Sequence, residues 1–449
     1  MNKKIIVELF IIGCLIFSHQ ASAEGLHFGI ISAIEEKIDE LRDVEYQPFE
    51  FNQRMDLWDV ETGPHLRGAH IHQRRVYPEL DGPNYMGPGL LGPPYTQEDF
   101  NRLAAWGANV VNISHPGLFT ETPPYVLDEE VRDNLDRLVE MGVMANMFVV
   151  ISFRTGPGRS EFIFFADKAG TYFGKDYVKL FEEDYYNNNE VWQDQEAQDA
   201  WVEMWRYTAQ RYRNNPAVVG YQLMGEPNGN DVWLDIYDPY VFYPEYEGSL
   251  YDWNQFYPRI VDAIRQVDSL TPVLVGGMNY SEVEWLSYLK VIDDPRIVYI
   301  IHQWEPYFYT HQQSPLISSY PGMVDVDWDG MDEIFNRDWL ENYLEEIDEF
   351  TRKHGVPVAV NEFGVMRWEP GAAEFIDDEL ELFERWGMNH GIWAWEGSWD
   401  PYVRVVDAFN FRHGPDPNNH TDVTSSDLIE VIKKYWARNT IRPADMGWD

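Results

Sequence analysis

The chain has 449 residues, 44% of them apolar and 15% aromatic, and a formal net charge of −42. That length supports a large core, and such an acidic surface repels nucleic acid and anionic membranes. A single cysteine excludes a disulfide framework and any thiolate-held zinc or iron–sulfur centre.

In chain order, the N-terminus reads as an export signal. Lys3 and Lys4 precede an apolar run over 5–17, and Ala21-Ser22-Ala23 offers a small-residue cleavage site. The run is short for a bilayer span and Glu8 interrupts it. Cys14, after Ile11-Ile12-Gly13, permits a lipoprotein reading, but that would leave a very short apolar region. The preferred reading is a signal peptide over 1–23 and an extracellular or periplasmic protein. A polar, aromatic lead-in over 24–65 is expected to pack on a single domain over 66–449.

Eight short apolar or β-branched runs follow, at 66–72, 109–114, 143–152, 218–226, 272–277, 297–302, 357–362 and 391–395. Amphipathic segments with start and stop signals separate them. Thr96 precedes a helix with Phe100, Leu103 and Ala104 on one face and Gly107 as its stop. Asp128 precedes another, carrying Val131, Leu135 and Leu138 and stopped by Gly142. Trp201, Trp205, Thr208 and Tyr212 share a face ahead of Pro216. Ser281 and Glu284 make a capping-box pattern. Leu340, Tyr343, Leu344 and Ile347 line a helix ending at Gly355, and Phe375, Leu380 and Phe383 one ending at Gly387. Leu428, Val431, Ile432 and Tyr435 line the last. Strands alternating with helices in this number predict the α/β class and a closed (β/α)₈ TIM barrel. No glycine-rich phosphate fingerprint follows the first strand, which argues against a doubly wound sheet.

Active sites of such barrels gather where strands end. Those positions hold His70 and His72, His115, Arg154, Glu226, His302 and Trp304, Glu362 and Trp395. Loops over 153–192, 228–253 and 304–330 are rich in Tyr, Phe and Trp, most of which are expected to pack loop cores and a minority to line a cleft. Glu226 and Glu362 end the fourth and seventh strands, which face each other across the mouth. A lone Glu among 76 acidic residues means little. Two, each before a Pro or Gly break on opposed strands, suit glycoside hydrolysis, where one carboxyl protonates the leaving oxygen and the other attacks the anomeric carbon.

The stretches "EDFNRLAAWGANVVNIS", "IIHQWEPYFYTHQ" (300–312) and "VNEFGV" resemble those of glycoside hydrolase family 5, the cellulase and mannanase family of retaining barrels, over about 64–440. The resemblance implies Glu226 as acid/base, Glu362 as nucleophile, His302 beside them and Trp395 as the platform under the sugar. His70, Asn112, His115, Arg154 and Trp304 complete the expected substrate-binding set. Four positions depart from the family's pattern. Gly225 stands where the family has Asn, Asn112 where it has Arg, Arg154 where it has His, and Trp304 where it has Tyr. The implied substrate is a β-linked oligo- or polysaccharide, a β-glucan, β-mannan or algal glycan, and no cofactor is expected. Arg154 and Arg159 also raise the idea of an acidic or sulfated sugar.

Two other readings stay open. His70, His72, His302 and Asp400 form a partial ligand set for a metal-dependent, amidohydrolase-like barrel, and a catalytically dead carbohydrate-binding barrel is the second. Asp325-Val326-Asp327-Trp328-Asp329-Gly330 matches the start of an EF-hand loop, but the twelfth position is Asn336, so it reads as a solvated acidic turn.

Overall fold

The computed structural model describes residues 53–77, 81, 84–161, 188–312, 318–327, 329–404 and 407–446. The expected signal, Cys14, most of the lead-in and much of the first aromatic loop lie outside the described residues. The chain divides into two units, Asn52–Pro443 and a second comprising Met1–Phe51 and Ala444–Asp449. The first carries everything that follows.

Its centre is a closed barrel of eight parallel strands: β1 (Arg67–His72), β2 (Val110–Pro116), β3 (Phe148–Thr155), β4 (Val218–Gln222), β5 (Val273–Gly276), β6 (Ile297–Gln303), β7 (Val358–Phe363) and β8 (His390–Ile392). Each strand pairs with the next in sequence, and β8 closes on β1. The strands are buried apart from His72 at the end of β1, as expected where helices cover the outside and side chains fill the inside.

Six of the seven crossovers carry long α-helices and a seventh helix follows β8: α1 (Gln97–Ala105), α2 (Glu129–Met144), α3 (Gln195–Tyr212), α4 (Trp253–Arg265), α5 (Arg337–His354), α6 (Ala372–Arg385) and α7 (Asp427–Trp436). Their ends follow local chemistry. Thr96 and Asp99 form a capping box on α1. The Asp128 carboxylate accepts from Val131 N–H at the start of α2. Gly355 ends α5 at φ 64°, a left-handed conformation that glycine adopts without steric cost.

The sequence reading needs four corrections here. Helix α2 continues through Val143 and Met144, so β3 begins only at Phe148. Strand β4 ends at Gln222, leaving Glu226 four residues into the loop. Helix α4 forms around an internal Pro258 because Trp253, Phe256, Tyr257, Ile260, Val261 and Ile264 bury one face. The Ser281–Glu284 capping box does not form. Asn279, Tyr280 and Ser281 take φ of 52°, 62° and 65°, and the fifth crossover is a 3-10 helix, Val283–Tyr288.

Of the expected lead-in, the described part covers the N-terminal end of the barrel. Trp58 Nε1 donates to Val219 O at 3.0 Å, and the Arg54 guanidinium donates to the carbonyls of Arg213 and Asn215 at 3.2 and 3.1 Å. Trp58, Ala69, Val110, Val150 and Ala359 surround a small void inside the barrel. Toward the C-terminal end the filling turns polar.

Candidate active site

Midway up the barrel, amides and imidazoles from five strands form one hydrogen-bonded layer. Asn361 Nδ2 (β7) donates to Gln222 Oε1 (β4) at 2.7 Å, and Asn112 Nδ2 (β2) donates to Asn361 Oδ1 at 3.0 Å. Gln222 Nε2 meets His302 Nε2 (β6) at 3.1 Å. His70 (β1) bonds through Nε2 to the Asn361 carbonyl. These bonds fix the amides' orientation, with Asn112 Oδ1 turned to no hydrogen-bond donor among the described residues.

On this floor stand the two glutamates. Strand β7 shifts register against β6 between Val360 and Glu362. That irregularity lets both Asn361 and Glu362 turn into the barrel, where simple alternation would send one of them out. Glu226 arrives differently, from a loop with φ 62°. Gly225 N–H donates to Phe153 O at 2.7 Å, Arg159 Nη2 donates to Glu226 O at 2.7 Å, and Tyr280 N–H donates to Pro227 O at 3.0 Å. These bonds hold a backbone conformation that a residue with a side chain seldom adopts unaided.

Glu226, His302 and Glu362 each place one oxygen or nitrogen within 4.8 Å of the others. His302 Nδ1 is 3.0 Å from Glu226 Oε1 and 3.8 Å from Glu362 Oε1. Its Nδ1 donates to Glu226 and its Nε2 meets the Gln222 amide, and against its burial the neighbouring Glu362 and Glu226 raise the ring's proton affinity. Arg154 lies 3.5 Å from Glu226 Oε2 and 4.0 Å from Glu362 Oε2. Its Nε donates to Glu161 Oε1 at 3.0 Å, and its guanidinium sits 5.4 Å from the Trp393 ring centre. All three glutamates are buried.

Burial raises the proton affinity of both central carboxyls, but their neighbours differ. For Glu226 the His302 hydrogen bond and the Arg154 charge outweigh burial and hold it below the ordinary carboxylate range. Glu362 is pushed up to about 7 by burial and by the adjacent Glu226, against the opposing pull of His302, Arg154 and a Trp304 hydrogen bond. The two carboxyls therefore titrate as one pair. Burial works against charge on Arg154, but Glu161, Glu226 and Glu362 more than compensate and keep it cationic. Burial, then the Arg154 charge, pushes Arg159 down to about 10.

Of the residues expected from sequence, Glu226, Glu362, His302, Arg154 and Trp304 surround one space. His70 Nδ1 faces Glu362 Oε2 at 3.7 Å, and Asn112 lies in the polar floor. Two are placed elsewhere. His115 turns outward to α2, donating through Nδ1 to Pro116 O at 2.7 Å and meeting Asn134 Nδ2 at 3.0 Å, because alternation along β2 sends Asn112 inward and His115 out. Trp395 is fully buried behind the barrel, against Trp106 and Phe411, with Nε1 donating to Asp99 O at 3.0 Å. The strand ends at Ile392, so counting in twos from β8 fails beyond it. The half-exposed tryptophan at the site is Trp393, against His70, His72 and Arg154.

Sequence reasoning also missed Glu161, Gln222, Asn361 and Tyr280. Asn361, beside Glu362, was the one with a signal, a polar residue inside an apolar run. His70 and His72 belong to neither group of three ligand-bearing side chains found among the described residues, and Asp400 is exposed. The second such group is Asp325, Asp327 and Glu333.

Comparison with known proteins adds the family. The cellulase family, glycosyl hydrolase family 5, matches residues 74–398. Endoglucanase C of Acetivibrio thermocellus is 24% identical over 239 residues, 47% of this chain and 63% of that protein. An endoglucanase of Paenibacillus polymyxa is 25% identical over 226 residues, 45% of this chain and 50% of that protein. The matches thus span less than two thirds of these relatives' lengths. Endoglucanase Cel5A from the hyperthermophilic Thermotoga maritima shares the fold, with a TM-score of 0.56 at 17% identity over 84% of this chain and 99% of that one.

Proposed function

The chain belongs to glycosyl hydrolase family 5, and on that premise we propose that it is an exported retaining glycoside hydrolase acting on β-linked polysaccharide. The observation that carries the proposal is the approach of Glu226 and Glu362 oxygens to within 4.8 Å. Retaining enzymes hold their carboxyl pair about 5–5.5 Å apart, whereas inverting ones leave about 6.5–9.5 Å for a water.

In this reading Glu362 attacks the anomeric carbon while Glu226 protonates the departing oxygen. Water, deprotonated by Glu226, then releases the glycosyl–enzyme with its configuration kept. The catalytic form has its proton on Glu226 and its charge on Glu362. His302 Nδ1 lies 3.0 Å from Glu226 and 3.8 Å from Glu362 and steadies negative charge on either. Trp393 supplies the ring beside the reacting sugar, and Arg154, His70 and Trp304 bound its pocket.

The relatives' names support a β-1,4-glucan-like substrate, and the three aromatic loops support internal cleavage of a chain. The test is product analysis on cellulosic, mixed-linkage, mannan and algal polysaccharides, with the anomer of the first product read by NMR. First formation of the inverted anomer would sink the retaining assignment. A metal-dependent reaction through His70 and His72 is not adopted, because those rings face Glu362, Glu161 and Trp393.

A further inference from the structure

The loop from Asn228 to Asp252 carries more rings than the catalytic space uses. Three of them stand in solvent: Trp233, Tyr237 (56% exposed) and Tyr240 (78% exposed). Tyr237 and Tyr240, with Tyr288 from the 3-10 helix after β5, line an open groove of about 480 Å³. That volume falls in the range of ligand-sized sites. Tyr288 lies 5.4 Å from Tyr243, nearly parallel at 5°, and Tyr240 stands edge-on to it at 5.4 Å and 84°. The ring platform is therefore backed and oriented. Asp238, Glu284 and Glu346 complete the wall, and no basic side chain lines it.

The groove is tied to the catalytic centre. Asp231 accepts from the hydroxyls of both Tyr237 and Tyr280. The backbone of Tyr280 in turn donates to Pro227 O, one residue from Glu226. Tyr237 and Tyr240 follow β4 and Tyr288 follows β5, while Glu346 stands on α5.

We propose that this tyrosine groove is a distal subsite for a neutral β-linked glycan chain, continuous with the cleft between Glu226 and Glu362. Pyranose rings present flat C–H faces that pack on aromatic rings, and hydroxyls that donate to carboxylates. The carboxylates are acceptors only and repel uronic or sulfated chains. The inference rests on the glycosidase reading for its ligand, but it concerns binding rather than chemistry.

The test uses the full chain with Glu362→Gln as a non-hydrolysing background, in native gels containing hydroxyethyl cellulose, mixed-linkage β-glucan or glucomannan. Tyr240→Ala and Tyr288→Ala should weaken retardation roughly three- to tenfold, in line with the worth of one aromatic contact. In the wild-type background the same changes should lower kcat/KM on polymer and leave an aryl β-cellobioside unaffected. Tyr240 is exposed enough that its loss leaves folding intact, which unchanged Tm verifies. Unaltered retardation in both variants, or no retardation of the parent on any of the three polymers, overturns the subsite. Should the wild type hydrolyse nothing while the tyrosine variants still lose retardation, the groove stands and the glycosidase reading falls.

Discussion

A side chain at position 225 would run into Arg154. A Cβ built on Gly225 would lie 3.1 Å from Arg154 Cγ, closer than ordinary contact. The backbone there is not left-handed, so a side chain fits only if the arginine stem gives by a few tenths of an ångström. Two departures from the family's pattern, Gly225 and Arg154, thus stand in contact.

Gly225→Asn is accordingly expected to push the guanidinium away from Glu226 and Glu362 and to lower kcat/KM by roughly tenfold or more. Arg154→Ala removes the obstacle but also the cation. Combining the two should cost less than the sum of the single losses, by about 0.5–3 kcal/mol, as for residues in contact. Steady-state kinetics on the four proteins measure that coupling. Additive losses would show the two positions act separately.

The carboxyl roles can be separated chemically. Glu226→Ala and Glu362→Gly should each lower kcat on polysaccharide by roughly 10²–10⁴ or more. With an activated aryl β-glycoside and azide, loss of the acid/base leaves the nucleophile in place and should yield the β-azide. Loss of the nucleophile lets azide attack from its side and should yield the α-azide. Exchanged products would exchange the roles.

The barrel was readable because its strands are short apolar runs between capped helices, and those signals are local. The pair Glu226 and Glu362 was readable for the same reason, since each follows such a run. What escaped was set by non-local geometry. The register shift in β7 brings Asn361 in beside Glu362, and β8 stops at Ile392, before Trp393, whereas the apolar run continues to Trp395. Glu161, which holds Arg154, lies outside every strand. No period in the sequence marks it, because its partner is reached only through the folded loop.

Glu362 also links stability to pH. Its folded-state pKa, about 7, lies above the ordinary value of 4.5. Below pH 4.5 the carboxyl is protonated whether the chain is folded or not. As pH rises to about 7, the unfolded chain loses this proton while the folded chain keeps it, so the contribution to stability falls. Glu121, raised to about 7 by burial, and Glu369 and Glu396, raised to about 8 by burial, act in the same direction. Glu362→Gln removes one such loss. Its unfolding free energy relative to wild type should climb between pH 4.5 and 7, by an amount on the order of 1–3 kcal/mol. A constant difference across that interval would refute the raised proton affinity.

The net charge of −42 supplies the last prediction. Surface carboxylates repel one another over a Debye length of about 30 Å at 0.01 M salt, but only about 10 Å at 0.1 M. Unfolding relieves that repulsion by spreading the charges, so screening should favour the folded chain. Several exposed pairs work the other way, Arg206 with Glu203 and Lys434 with Asp377 among them, but such pairs are individually worth little. Tm is therefore expected to rise by several degrees between about 10 mM and 0.3 M NaCl and to flatten above that. The buried pair at the mouth is shielded from mobile ions, so kcat on a neutral substrate should move little over the same range. A flat Tm at low salt would mean that local pairing already neutralises the surface, and a kcat that tracks Tm would mean that ions reach the carboxylates.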